Sequence, residues 1–292
     1  MFGLIFGSFL NVCIYRMPRE LSVVRPRSAC PACSAPIAAY DNIPVFSWLI
    51  LQGKCRQCKT PISPRYAAVE LLTGILFASS WLYSMDNLPL AIKSCVLCFL
   101  LVGLVFTDAE TKLLPDLLTW PGLVAGLVFS LLVSVDGFAN LLLRRWGTLN
   151  WHILSFSNAF MGAFFGAGFI LGVALLYEAV RNVEGIGMGD VKLMGMIGAF
   201  IGVKLTLLVL LLGSLIGSLF GGLLMVAVWR RRLARRKARR SESPAEARSR
   251  AWQSAKLIFR NFEVPFGVFL GVAALVAFFW GNGLVRWYVG MF

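Results

Sequence analysis

Apolar residues occur along the chain in long runs, and polar residues gather in the connections between them. A helix needs about 20 apolar residues to cross the ~30 Å hydrocarbon core of a bilayer. Runs near this length predict about eight transmembrane helices, two of them short, and therefore an all-α polytopic membrane protein. The runs cover 1–15, 67–85, 88–106, 117–135, 157–178, 191–203, 205–229 and 264–281.

Composition supports this fold class and changes how the charge is interpreted. With 58% hydrophobic and 14% charged residues, the chain is too apolar for a soluble fold. The net charge of +14 is concentrated, since eight of the 28 Lys and Arg lie between Arg16 and Arg65 and twelve between Arg230 and Arg260. Because these residues lie in two connections, they do not indicate a nucleic-acid partner.

The positive-inside rule places both basic connections in the cytoplasm. Parity then puts both termini outside and the connections 107–116 and 179–190 on the cytoplasmic side. The run 1–15 lacks the charged segment and cleavage site of a signal peptide, which favours a retained first span. The expected organisation is a first span at 1–17, a cytoplasmic zinc-binding domain at 18–65, and a transmembrane domain at 66–292 with a basic cytoplasmic loop at about 230–262.

Four cysteines in the first basic connection form two CxxC pairs, Cys30/Cys33 and Cys55/Cys58. Two such pairs suit a tetrahedral zinc ion, although the 21 intervening residues slightly exceed the usual spacing. The alternative is two disulfides or unpaired thiols, and a cytoplasmic location disfavours disulfides. Four thiolates leave zinc no open position, so the predicted site is structural, and a domain this small would depend on its metal for stability.

Other potential metal ligands have simpler interpretations. Cys95 and Cys98 form a third CxxC pair, but it lies inside an apolar run without a second pair. Buried cysteines commonly behave as small hydrophobic residues, and Cys13 is interpreted in the same way. His152 is the only histidine and lacks ligand partners nearby in the sequence, so a histidine-based hydrolytic site is not expected.

Carboxylates at membrane depth are candidate functional groups. Asp108 ends one apolar run and Asp190 begins another on the same side, so their depths should match. Two such carboxylates can share a proton, hold a water and cleave a peptide bond without a metal. The alternative is that Asp190 is a helix N-terminal charge and that Gly187 and Gly189 only pack helices, and the spacing alone leaves both open. The other candidates are Glu70, Glu110, Asp116, Glu178 and Glu184.

Several motifs, in order, resemble the type IV prepilin peptidases, bacterial aspartyl proteases of the GxGD kind. They cover most of the chain from residue 7 to residue 270. We expect three departures from the family pattern to lie away from the two aspartates: Ala67 and Val268 stand where proline is common in the family, and Met1 lies unusually close to the first motif. The matching segments are GSFLNVCIYRMP (7–18), DNIPVFSWL (41–49) between the CxxC pairs, CRQC (55–58), RYAAVEL (65–71), FTDAETKLLPDLLT (106–119), GMGDVKL (187–193) and VPFG (264–267).

The resemblance implies that Asp108 and Asp190 are the catalytic pair, with Asp116 a motif residue outside it. It implies a bacterial inner-membrane enzyme that cleaves prepilins and pilin-like secretion subunits at the cytoplasmic face. The cysteine domain accompanies family members that then methylate the new N-terminal amine with S-adenosylmethionine. The glycines at 187 and 189 would permit unusual backbone angles and close approach of an extended substrate, and Lys192 would support the same loop.

The sequence also supports expectations about the basic segment and the acidic residues, and it leaves two rival functions. The basic stretch 230–250 predicts a flexible loop near anionic lipid, and Glu110 and Glu184 are candidates to meet a basic leader peptide. A rival hypothesis is a transporter or channel with Asp108, Asp190 and Lys192 along a polar path. Another is a zinc-dependent binding or assembly subunit without catalysis. The residues that contact the methyl donor and the oligomeric state are not assigned.

Overall fold

The chain is helical throughout the part that the structure describes. A computed structural model describes residues 1–135, 137, 150–182, 187–238, 244–260 and 265–291. Short 3₁₀ turns occur at Met17–Arg19 and Ala39–Asn42, and these ranges contain no β-strand. The helices are α1 (Phe2–Arg16), α2 (Phe46–Ile50), α3 (Arg65–Ser84), α4 (Leu88–Thr111), α5 (Asp116–Phe129), α6 (Trp151–Arg181), α7 (Met188–Ala238), α8 (Pro244–Arg260) and α9 (Phe266–Val289).

Five of the described helices are long and apolar enough to cross a membrane, namely α3, α4, α6, α7 and α9. The 14-residue α5 is apolar but shorter, and α1 has 15 residues. An all-helical membrane protein is therefore confirmed, whereas the count of eight spans is not. At 1.5 Å per residue, helices of 14 or 15 residues reach only about 22 Å.

The long helix α7 folds back on itself at Gly202. This residue has φ 74° and ψ 170°, a conformation essentially restricted to glycine. A methyl group built on Gly166 of α6 would lie 2.4 Å from the Met194 carbonyl oxygen and 3.2 Å from a methyl of Thr206. In a straight helix Met194 and Thr206 would be about 18 Å apart along the axis. Segments 188–201 and 203–238 are thus separate helices, close to the two runs expected from the sequence.

The segment 188–201 lies at the centre of the helix bundle. Its side chains at Leu193, Met194, Ile197 and Phe200 are all at most 1% exposed. Small residues allow the close packing, because a Cβ on Gly198 would lie 2.1 Å from the Gly162 carbonyl oxygen. Helices in lipid associate by such van der Waals packing between small residues. The helix that begins near Asp190 is therefore held on several sides.

The basic segment is more ordered than expected. The prediction of a flexible loop is wrong for much of it, since α7 continues to Ala238 and α8 covers Pro244–Arg260. Ala251 and Ala255 lie one turn apart on α8 and are at most 1% exposed. Trp229 of α7 and Trp252 of α8 pack edge to face at 6.5 Å. The buried alanine stripe and the tryptophan pair join the two helices, which leaves most basic side chains exposed.

Candidate active site and metal site

Asp108 lies in the last turn of α4 and is only 5% exposed. The helix ends three residues later because Lys112 adopts a left-handed φ of 55° and Pro115 follows closely. One carboxylate oxygen of Asp108, Oδ2, accepts a hydrogen bond of 2.9 Å from the Val268 backbone N–H at the start of α9. A backbone donor 160 residues away thus fixes the orientation of this carboxylate. The expectation that the departure at Val268 lies away from the aspartates is therefore wrong.

Asp190 lies in the first turn of α7 and faces the same point as Asp108. A methyl group built on Gly267 would lie 2.8 Å from Asp108 Oδ2 and 3.3 Å from Asp190 Oδ1. These two distances together limit the separation of the oxygens to at most about 6.1 Å. One water molecule can hydrogen-bond to both carboxylates when their oxygens are at most about 5.6 Å apart, because hydrogen bonds between oxygens are about 2.7–2.8 Å long. Three helix ends, from α4, α7 and α9, form this site.

Gly267 was not identified as a site residue from the sequence. Its motif VPFG was recognised, but nothing local to that motif indicates that its glycine faces two carboxylates. Its φ lies outside the positive range, so the backbone conformation does not require glycine here. Glycine is required here by the lack of space, because any Cβ would contact the aspartate pair.

The glycines that precede Asp190 have ordinary backbone angles. Neither Gly187 nor Gly189 has a positive φ, so glycine is not required here by a left-handed conformation, and close approach of a substrate stays a prediction. A Cβ on Gly189 would press against the Leu114 side chain at 3.1 Å, which indicates a packing role. A Cβ on Gly187 would meet only the Gly189 nitrogen at 3.9 Å. The space beside Gly187 is therefore open.

Lys192 pairs with Asp116 instead of extending toward a polar path. Its ammonium lies 2.7 and 2.9 Å from the two carboxylate oxygens of Asp116. Asp116 is the first residue of α5, and Lys192 lies two residues after Asp190. The ion pair thus joins the beginning of α5 to the beginning of α7, next to the candidate pair.

The remaining acidic candidates have different surroundings. Glu110 forms an ion pair with Arg65 at the beginning of α3. Glu70 accepts a 2.7 Å hydrogen bond from the Val45 backbone N–H. Glu178 is exposed on α6, and Glu184 lies outside the described residues. Only Asp108 and Asp190, of the carboxylates described, converge on Gly267.

The four cysteines of the predicted zinc site converge. The Sγ atoms of Cys30, Cys33, Cys55 and Cys58 all lie within 4.8 Å of one another, and those of Cys30 and Cys58 are 3.7 Å apart. Tetrahedral zinc with Zn–S distances of about 2.3 Å separates its sulfurs by about 3.8 Å. All four cysteines are free thiols, so two disulfides are not formed. The donor set and its spacing fit a structural zinc ion.

Two similar turns build this metal site. The N–H of Cys30 donates to the Ala35 carbonyl and that of Cys55 to the Thr60 carbonyl, both at 2.9 Å. The residue after each pair, Ser34 or Lys59, has a positive φ of 56° or 58°. Hydrogen bonds from Thr60, through its side chain and then its backbone, lower the pKa of the Cys58 thiol to about 6. That shift favours the thiolate that a metal requires.

Asp41 connects the rest of the small domain to the second turn. The Arg56 side chain donates two hydrogen bonds of 2.7 and 2.6 Å to the Asp41 carboxylate. These hydrogen bonds hold the pKa of Asp41 below its ordinary value. Arg56 lies between Cys55 and Cys58, so the segment 41–49 and the second turn are tied together.

Cysteines and histidine outside this site have structural surroundings. Cys98 is buried and its sulfur lies 3.6 Å from the Ser80 hydroxyl, while Cys13 is 1% exposed. The His152 Nδ1 donates to the Leu131 carbonyl oxygen at 2.8 Å, and its ring packs on Trp151. No metal-ligand cluster involves these residues in the described part of the chain.

Comparison with known proteins gives consistent matches. Residues 1–84 match the bacterial peptidase A24 N-terminal domain, and residues 95–222 match the type IV leader peptidase family. A prepilin leader peptidase/N-methyltransferase of Aeromonas hydrophila is 33% identical over 100% of this chain and 93% of its own length. The chain belongs to the prepilin leader peptidase/N-methyltransferase family.

Other members of this family are similar over a smaller part of the chain. The prepilin leader peptidase/N-methyltransferase of Neisseria gonorrhoeae is 35% identical over 69% of this chain and 72% of that protein. That of Myxococcus xanthus is 39% identical over 68% of this chain and 54% of that protein. No solved structure matches the chain.

Each of the two matched family regions contains one of the two candidate sites. The N-terminal region, 1–84, contains all four cysteines of the metal site, and the region 95–222 contains both aspartates. Gly267 lies beyond both regions, although the match to the Aeromonas hydrophila family member covers the whole chain.

Proposed function

We propose that this protein cleaves the leader peptide of type IV prepilins and pilin-like secretion subunits, and then N-methylates the new N-terminal residue. The observation that carries the peptidase activity is the convergence of Asp108 and Asp190 on Gly267, with no side chain between the carboxylates and the α9 backbone. The names of the relatives support both activities.

In the proposed peptidase mechanism, one aspartate is protonated and polarises the scissile carbonyl, and the other accepts a proton from the bound water. The water oxygen attacks the carbonyl carbon, and the C–N bond then breaks as the leaving nitrogen accepts a proton. The pair titrates as a unit. The Val268 N–H holds Asp108 Oδ2, which leaves the other oxygen of that carboxylate for water.

The proposed membrane placement puts both sites on the cytoplasmic side of the bacterial inner membrane, with eight spans and an external N-terminus. The pair Arg65–Glu110 supports a common side, because it joins the end of the cysteine segment to the helix turn that carries Asp108. The basic residues of α7 and α8 support a cytoplasmic location through the positive-inside rule. A substrate whose hydrophobic helix lies in the bilayer would present its cleavage site there.

Zinc would be held by Cys30, Cys33, Cys55 and Cys58 and would stabilise the small domain rather than take part in hydrolysis, because four thiolates fill its coordination sphere. S-adenosylmethionine is the second substrate and supplies the methyl group. Prepilin and membrane lipid are the proposed partners. No metal takes part in the proposed peptidase site.

The proposal is tested with purified protein, a prepilin and S-adenosylmethionine, with both products weighed by mass spectrometry. We expect a shortened pilin that carries one added methyl group. Asp108→Asn and Asp190→Asn, checked for zinc content and melting temperature, should each abolish cleavage. Parental cleavage rates in either folded variant would refute the aspartate mechanism. Ion or solute flux without proteolysis would instead favour the transporter hypothesis.

A further inference from the structure

A second buried polar cluster lies where α1 crosses α3. Glu70 of α3 is 9% exposed, and its Oε2 accepts the Val45 N–H at 2.7 Å. No Lys or Arg among the described residues pairs with it. A carboxylate at membrane depth without a counter-ion is costly and marks a functional site.

Asn11 of α1 supplies a second acceptor at this crossing. It is 4% exposed, and its amide nitrogen donates to the Tyr66 carbonyl oxygen at 2.9 Å. This bond fixes the amide so that Oδ1 points elsewhere, and Oδ1 is buried without any hydrogen-bond partner. Buried acceptors without partners are rare and need an explanation.

The two acceptors belong to adjacent turns of the same helix crossing. Gly7 lies one turn before Asn11 on α1, and a Cβ on Gly7 would lie 2.7 Å from the Glu70 Cα. Tyr66, which Asn11 contacts, lies one turn before Glu70 on α3. The crossing therefore contains two acceptors, a carboxylate and an amide oxygen. An alkylammonium group matches them, since it carries a positive charge and three donors and no acceptor.

We propose that Glu70 and Asn11 bind the N-terminal amine of the cleaved substrate for methylation. This inference rests on the proposed N-methyltransferase activity. The location suits the task, because Val69 and Val102 pack in one cluster, which places Glu70 on the helix next to the one that carries Asp108. The amine released at the aspartate pair is thus one helix away from this site.

Glu70 would act on the amine as well as bind it. The carboxylate accepts one proton from the ammonium group, which gives the nitrogen a free electron pair. That pair forms the new N–C bond while the S–C bond of the sulfonium donor breaks and its electrons stay on sulfur. The donor becomes a neutral thioether, and the positive charge passes to the methylated amine.

Glu70→Gln tests the proposal, because glutamine retains an acceptor for the Val45 N–H and removes the charge. The measurement is the binding of two mature-pilin peptides, one with a free N-terminal amine and one acetylated, to detergent-solubilised protein. Parental protein should bind the free amine at least about tenfold more tightly, since acetylation removes its charge. In Glu70→Gln this preference should fall to within about twofold. Glu178→Gln, which changes an exposed carboxylate on α6, is the matched control and should keep the parental preference.

Binding of S-adenosylhomocysteine to the same variants shows whether the site binds the N-terminal ammonium group of the substrate or the ammonium group of the methyl donor. Unchanged affinity in Glu70→Gln together with loss of the amine preference supports the proposal. Loss of S-adenosylhomocysteine binding with the amine preference retained would overturn it and assign the site to the donor's own ammonium. A retained preference with unchanged affinity would overturn it as well.

Zinc content and melting temperature show whether Glu70→Gln is folded. If it is not, Asn11→Ala carries the same measurement, because it removes the unpartnered oxygen and leaves Glu70 with its Val45 contact. We then expect at least a threefold loss of amine preference, and an unchanged preference would overturn the proposal. Absence of methylation by the parental protein would instead refute the proposed methyltransferase activity.

Discussion

Gly267→Ala offers a sharp test of the candidate active site. The added methyl group would lie 2.8 Å from Asp108 Oδ2, and real Cβ atoms essentially never approach a heavy atom closer than 3.0 Å. An ordinary contact of 3.4 Å requires a movement of about 0.6 Å. Oδ2 cannot retreat freely because the Val268 N–H holds it. The substitution therefore displaces Asp108 or the beginning of α9.

The size of the effect follows from that displacement. A misplacement of about 1 Å in an active site can cost about 100-fold in rate. A shift of about 0.6 Å then predicts a loss of roughly 10- to 100-fold in kcat/KM, or about 1.4–2.7 kcal/mol in the activation barrier. Stability should not fall in parallel, since alanine favours helices by up to about 1 kcal/mol over glycine.

Cleavage is measured with a purified prepilin and quantified by mass spectrometry, together with zinc content and melting temperature. Gly283→Ala is the matched control, because it lies on the same helix and its added Cβ meets nothing within 4 Å. It should leave the rate unchanged. A folded Gly267→Ala variant that cleaves within twofold of the parental rate would show that the aspartates do not act where we place them.

Other parts of the structure make independent predictions. Lys192→Met breaks the partly exposed ion pair between α5 and α7. It should lower the free energy of unfolding by only about 0–1 kcal/mol, but it should lower the rate of cleavage several-fold. A lower melting temperature with an unchanged rate of cleavage would contradict a positioning role for this ion pair. Gly202→Ala, at φ 74°, should lower the free energy of unfolding by about 1–3 kcal/mol, whereas Gly222→Ala, in open space, should not. Cys33→Ser should reduce bound zinc below about half an equivalent by metal analysis, and equal zinc loss in Cys95→Ser would argue against the four-cysteine site.

Much of the architecture was predictable because its causes are local or compositional. Apolar runs predicted most helix positions, including two runs, 191–203 and 205–229, whose boundary lies two residues from Gly202. The CxxC spacing predicted the metal cluster. The basic segment was predicted less well, because an amphipathic helix with its alanines buried against α7 looks polar and loop-like when its partner is unknown.

The candidate site shows the limit of local patterns. Asp108 and Asp190 were found from rare charges at run ends and from the family motifs. Their surroundings depend on contacts between distant residues: Val268 binds Asp108, Lys192 binds Asp116, and Gly267 leaves space for the pair. Gly189 packs against Leu114, a contact that the spacing of the motif does not show.

The sequence by itself determined the membrane class, most of the helix positions, the cysteine cluster and the choice of the two candidate aspartates. Each is encoded by hydrophobicity over about 20 residues or by spacing within a short motif. Only the tertiary structure decided that the α9 backbone binds Asp108, that α7 reverses at Gly202, and that the Asn11 amide oxygen is buried without a hydrogen-bond partner. Those facts depend on which helices touch and at what depth, and helix packing brings together residues up to 160 positions apart.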